Sequence, residues 1–124
     1  MIFLKYIATI ILAVIVISLF FVWDDLLGAS HEARIAYVKK DISKISQSIE
    51  NYKEEFGVYP STEQGLNVLI KKGIVSEINA DLWGEPYRYM YPGKHNLDGY
   101  DLWSTGTDMK DGGSGTAQDI GNWK

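Results

Sequence analysis

The chain has 124 residues, twelve basic and sixteen acidic side chains, and no cysteine. That length suits one domain beside a membrane segment. It leaves no room for disulfides, thiol catalysis or cysteine-ligated zinc, and no basic cluster stands on one face, which argues against a nucleic-acid partner.

Tyr6 to Trp23 reads YIATIILAVIVISLFFVW, eighteen residues without a charge. As a helix it spans about 27 Å, close to the ~30 Å hydrocarbon core of a bilayer. Lys5 and the amino group precede it, and Asp24 and Asp25 follow. The positive-inside bias then puts the N-terminus in the cytoplasm and the rest across the membrane. The competing reading is a cleaved secretory signal with Gly28-Ala29-Ser30 as its small-residue site. The apolar run exceeds the ~7–15 residues of a signal core, so the expectation is a retained single-pass anchor over residues 1–23.

Residues 24–34 form a helical neck whose small side chains, among them Gly28, Ala29, Ser30 and Ala33, permit close approach of another helix. From Ile35 the apolar residues advance by alternating steps of three and four: Val38, Ile42, Ile45, Ile49, Tyr52 and Phe56. That narrow stripe predicts a long amphipathic helix laying one face on a sheet. A coiled-coil seam would use the same spacing, but about three heptads are marginal for one. Gly57 supplies the helix end and Pro60 prevents continuation.

Ser61 and Gln64 make a capping-box pattern for a short second helix that presents Leu66, Leu69 and Ile70 on one face and stops at Gly73. Ser61 and Thr62 read as caps rather than nucleophiles. YRYMY (Tyr87 to Tyr91) and YDLWS (Tyr100 to Ser104) read as two antiparallel strands joined by a turn-rich link. Two strands alone are marginal, so a third short strand or helix packing must complete the unit. The expected class is α+β: a transmembrane helix continuing into a long helix packed on a small antiparallel sheet, with the globular head over residues 35–124.

Catalysis finds no constellation. His31 and His95 stand far apart, Glu54 and Glu55 point to different helix faces, and the DGGSG run (Asp111 to Gly115) follows a loop rather than a strand. The expectation is a protein that is not an enzyme. The aromatics, Trp83, Tyr87, Tyr89, Trp103 and Trp123 among them, read as core.

Four blocks occur in order: NYKEEFGVYPSTEQGLNVLI (Asn51 to Ile70), DLWGEPYRYMYPGKH (Asp81 to His95), YDLWSTGTD (Tyr100 to Asp108) and DIGNW (Asp119 to Trp123). Together they closely resemble the major pseudopilin, or G subunit, family of the type II secretion system, over about Ala33 to Trp123. The resemblance implies a hydrophobic N-terminal helix running into an α/β head whose C-terminal loop holds calcium. It also implies an inner-membrane location with a periplasmic head. Polymerisation into a short pseudopilus that helps export folded proteins follows too, with other pseudopilins or inner-membrane platform proteins as partners and lipid around the anchor. Two features depart from the family. The apolar run opens MIFLKYIATII, without the glycine and Phe-Thr-Leu-Ile-Glu at which a prepilin peptidase acts, and Leu82 stands where DPWG would have proline. An intramembrane carboxylate is expensive and kept for a role, which the resemblance implies is pairing with a neighbouring subunit's amino terminus. Its absence leaves a second reading open: a solitary membrane-anchored relative that binds a partner through its head without polymerising.

Residues 105–123 are rich in glycine and acids, yet end on Ile120 and Trp123, which call for burial. Oxygen ligands at short spacing on a glycine-permitted loop are what Ca2+ requires. Asp108 and Asp119 are eleven residues apart, as the first and last ligands of an EF-hand are, but Lys110 and Gly112 occupy that loop's other carboxylate positions. An EF-hand is therefore excluded. The resemblance implies instead aspartates at both ends with backbone carbonyls between. Asp108 and Asp119 become side-chain ligands, Thr105, Lys110 and Gly113 carbonyl candidates, and Asp111 either a ligand or a solvated acid.

Overall fold

The computed structural model describes residues 1–113 and 118–123, the side chains of 27–29 aside. Part of the proposed ion loop, residues 114–117, therefore lies outside the described residues, as does the burial of the neck residues Gly28 and Ala29. The chain divides into two compact units, Met1–Ala33 and Arg34–Lys124. Helix α1, Ile2–Phe56, contributes to both.

In the first unit the apolar side chains are exposed. An 18-residue window has a mean hydropathy of 2.7 with none of it buried, and it is the one candidate membrane span among the described residues. Its hydroxyls turn back on the helix: Thr9 Oγ1 donates to the Lys5 carbonyl at 2.7 Å and Ser18 Oγ to that of Ile15 at 2.9 Å. That arrangement satisfies each hydroxyl within its own helix.

In the second unit α1 lays the predicted stripe on the core. Val38, Ile42, Ile49 and Tyr52 are buried, with Ile35 and Ile45 packed beside them. Phe56 ends the stripe at 39 % exposure, its ring 4.6 Å from that of Tyr52. Gly57 takes φ +79°, a conformation side chains resist, and its amide closes on the Lys53 carbonyl at 2.7 Å.

The second helix is shorter than its pattern. The capping box forms, with Ser61 N donating to Gln64 Oε1 at 2.9 Å and Gln64 N to Ser61 Oγ at 3.1 Å. It closes a turn rather than opening a helix, and α2 covers only Asn67–Lys71. Its buried residues are Val68 and Leu69, while Ile70 faces out. Thr62 is not a cap: its hydroxyl donates to the Tyr91 carbonyl and accepts from the Tyr91 amide, both at 2.9 Å.

Strands β1 (Arg88–Met90), β2 (Asp101–Ser104) and β3 (Ile120–Gly121) form an antiparallel sheet in that order. Arg88 pairs with Trp103 and Tyr89 with Leu102 across β1 and β2; Trp103 pairs with Gly121 and Ser104 with Ile120 across β2 and β3. The third strand that two strands alone require is thus the end of the chain. Tyr89 and the fully buried Leu102 face the helix stripe within one core. Tyr87 at the edge of β1 donates to Asp41 Oδ2 on α1 at 3.1 Å.

Candidate functional site

The C-terminal loop leaves β2 at Ser104 and returns as β3 at Ile120. The β2–β3 register, carried one residue further, brings Thr105 opposite Asp119. Thr105 is buried and leads into a single 3-10 turn, Gly106–Asp108, after which Met109 adopts φ 57°. Asp108 is half-buried and its Oδ1 accepts from the Lys110 amide at 3.1 Å. Lys110 and Gly113 are exposed. Gly112 N donates to Asp119 Oδ2 at 2.7 Å.

The electrostatics converge on Asp119. Its burial raises the carboxyl above its ordinary value; the Gly112 amide opposes this, the charges of Asp111 and Asp108 add to it, and Arg88 counters them. Two buried side-chain oxygens among the described residues make no hydrogen bond, Thr105 Oγ1 and Asp119 Oδ1. Buried oxygens are normally paired, and each exception needs a reason.

A hard cation would supply one, since it takes six to eight oxygens with flexible geometry. Among the described residues no three His, Asp or Glu side chains cluster to hold a metal by themselves. Backbone carbonyls would have to complete the set. The two unpaired oxygens, Thr105 Oγ1 and Asp119 Oδ1, fit a cation of that kind.

Sequence spacing does not reveal how the surroundings are tied down. Asp111 is not a free loop acid: its Oδ1 accepts from Trp103 Nε1 at 3.0 Å and its Oδ2 lies 3.5 Å from Arg88 Nη1. His95 is not simply a surface residue either. Its ring stacks on Trp123 at 3.9 Å with the planes 6° apart, and its Nδ1 lies 3.0 Å from Asp101 Oδ2. Asp101 is buried and accepts the amides of Lys94, His95 and Asn96 at 2.8–2.9 Å. Asn122 extends β3, its Nδ2 donating to the Tyr100 carbonyl and its Oδ1 accepting from Leu102 N, both at 3.0 Å. Ile120 is buried as expected, and Trp123 is half-buried against His95. Trp103, Trp123, His95, Asp111, Gly113 and Asp119 share the wall of a cleft of about 380 Å³. Thr105, Asp108 and Lys110 do not line it.

Comparison with known proteins gives a single answer. The family described as type II secretion system (T2SS), protein G, matches residues 25–123. The chain is 38 % identical over 105 residues to type II secretion system core protein G of Pseudomonas aeruginosa, covering 74 % of this chain and 72 % of that protein. The corresponding protein of Vibrio cholerae is 34 % identical over 115 residues, covering 83 % and 77 %. The fold matches the crystal structure of the major pseudopilin from the type 2 secretion system of enterohaemorrhagic Escherichia coli with a TM-score of 0.69 at 28 % identity, over 79 % of this chain and 93 % of that one. With its long N-terminal helix, small antiparallel sheet and family match across the whole head, the chain belongs to the type II secretion system protein G family of major pseudopilins.

Proposed function

We propose that this protein is a structural subunit of a periplasmic pseudopilus that helps export folded proteins through the type II secretion system. The observation that carries this reading is a family match over residues 25–123 on a chain that opens with an unburied apolar helix. In this reading residues 1–23 are a single-pass inner-membrane anchor, 24–34 a neck and 35–124 a periplasmic head. Its partners are copies of itself, other pseudopilins and the inner-membrane platform. The role is mechanical, and no side chain is assigned to catalysis.

Calcium is the ion this reading gives to the C-terminal loop. The carboxylates of Asp108 and Asp119 would hold it, with the carbonyls of Thr105, Lys110 and Gly113. The unpaired Asp119 Oδ1 supports that assignment, as does the raised carboxyl of Asp119, which burial lifts first and the charges of Asp111 and Asp108 lift further. The bound ion would supply the positive charge these acids lack and so keep β3 on the sheet.

Cross-linking of the full chain in membranes tests assembly. A ladder of multimers is expected, lost in Ala33→Trp while the head stays folded, because a bulky residue blocks close helix approach. Products no larger than a dimer would favour the solitary membrane-anchored protein instead. Recovery of the chain outside the membrane fraction would remove the anchor.

A further inference from the structure

We propose that Asp111 is a positioning residue for the ion loop, held by Arg88 and Trp103, and not a ligand. This rests on the calcium reading above and assigns a part of that site which the reading leaves open.

Arg88 and Trp103 are register partners on β1 and β2, so their side chains leave the sheet side by side. Both reach the same carboxylate: the Trp103 indole donates to Oδ1 at 3.0 Å and the Arg88 guanidinium lies 3.5 Å from Oδ2. Each oxygen of Asp111 is thereby engaged by the sheet. The next residue acts on the site, since Gly112 N donates to Asp119 Oδ2 at 2.7 Å. The contacts run unbroken from sheet to Asp111, to Gly112, to Asp119. They fix one oxygen of Asp119 and leave the other, Oδ1, buried and unbonded.

Stability is not what this arrangement delivers. Arg88 and Asp111 are 44 % and 61 % exposed, and an exposed pair of that kind adds little to folding. What it supplies is geometry. A loop already tied at Asp111 loses less conformational freedom when an ion binds, and residues outside the coordination shell are the ones that orient the ligands within it. Arg88 also brings a positive charge to this corner of the head, paired with Asp111 and felt at Asp119. An alternative role for Arg88, simple repulsion of a cation, predicts the opposite sign on its removal.

The experiment is calcium titration calorimetry on the full chain in detergent, with thermal unfolding in chelator run beside it. Arg88→Ala and Asp111→Ala should each weaken the calcium Kd about tenfold. The double variant should be no weaker than either single one, because the two residues act through each other. Arg88→Lys should recover part of the loss, and Trp103→Phe, which keeps the ring but not its N–H, should resemble Asp111→Ala. Tighter binding in Arg88→Ala would overturn the proposal. So would a loss confined to Asp111→Ala, which would make that carboxylate a ligand, or a Kd unchanged in every variant while the melting temperature falls, which would leave only a structural role. Should the wild-type chain take up no calcium, the calcium reading itself fails and the tether is judged by hydrogen exchange at the Gly112 amide. Faster exchange in Arg88→Ala supports the tether, and unchanged exchange sinks it.

Discussion

Ser104 Oγ donates a 2.6 Å hydrogen bond to Asp81 Oδ2, joining two buried residues 23 positions apart. The other oxygen of Asp81 accepts the amides of Trp83 and Glu85, each at 2.9 Å. One carboxylate therefore shapes the Asp81–Glu85 turn and anchors it to the last residue of β2, next to Thr105. The Ser104 hydroxyl also accepts from Gly106 N at 3.2 Å, at the start of the C-terminal loop. Ser104→Ala should cost about 2 kcal/mol, because it strands a buried charged acceptor. Thermal unfolding of the full chain in detergent measures this, and a midpoint equal to wild type would show that the contact carries no weight.

Asp101 gives the head a defined acid limit. Burial alone would raise its carboxyl, but the amides of His95 and Asn96, the His95 ring and the Lys94 amide outweigh that and hold it below the ordinary carboxylate value. In the unfolded chain the group returns to about 3.9, so over the interval between the two values the unfolded state binds the extra proton. The stabilisation is complete above the ordinary value and is lost as pH falls through the lower, folded one. Asp101→Asn should flatten the acid limb of a melting-temperature profile and cost roughly 3 kcal/mol at neutral pH, since an amide presents donors to donors. An acid limb as steep as that of the wild type would assign it to other carboxylates.

Gly93 is fixed by the same network. A Cβ there would stand 2.5 Å from Asp101 Oδ1 and 2.7 Å from the Asn96 carbonyl, and neither can retreat without breaking the hydrogen bond it accepts, from Asn96 N and Gly99 N respectively. Gly93→Ala should lower the melting temperature, and its effect should be far from additive with Asp101→Asn because both disrupt one network. Simple additivity in the double variant would place the two effects at separate sites.

The long helix was legible because its stripe is local: seven apolar residues at steps of three and four must share a face whatever they pack on. Burial along that stripe is not. Ile49 is fully buried and Phe56 is 39 % exposed, a difference that the spacing alone does not carry. Ile49→Ala should cost about 2–5 kcal/mol, and Phe56→Ala clearly less than the ~3–5 kcal/mol of a buried phenylalanine. Equal losses in thermal unfolding would contradict the packing described.

Elsewhere the sequence was read rightly in kind and wrongly in reach. The Ser61–Gln64 box lies three residues apart and is visible as a motif; the partner of Thr62 is Tyr91, 29 residues on, and no spacing rule finds it. The strands stood out by their aromatic alternation, whereas a two-residue β3 is too short to carry a period. At the candidate site Asp108 and Asp119 are expectations from composition and family likeness. The hold of Arg88 and Trp103 on Asp111 depends on a register that only the folded sheet creates.

Thermal unfolding of the full chain in detergent, in calcium and then in chelator, tests most directly whether an ion closes the C-terminal loop. Thr105 Oγ1 and Asp119 Oδ1 are buried without partners, and burial with the charges of Asp111 and Asp108 raises the Asp119 carboxyl. A cation at about 100 times its dissociation constant should therefore stabilise the folded chain by about 2.7 kcal/mol. The account predicts a melting temperature raised by calcium, lowered again by chelator, and insensitive to both in Asp119→Ala. A wild-type melting temperature that ignores calcium and chelator alike would contradict it.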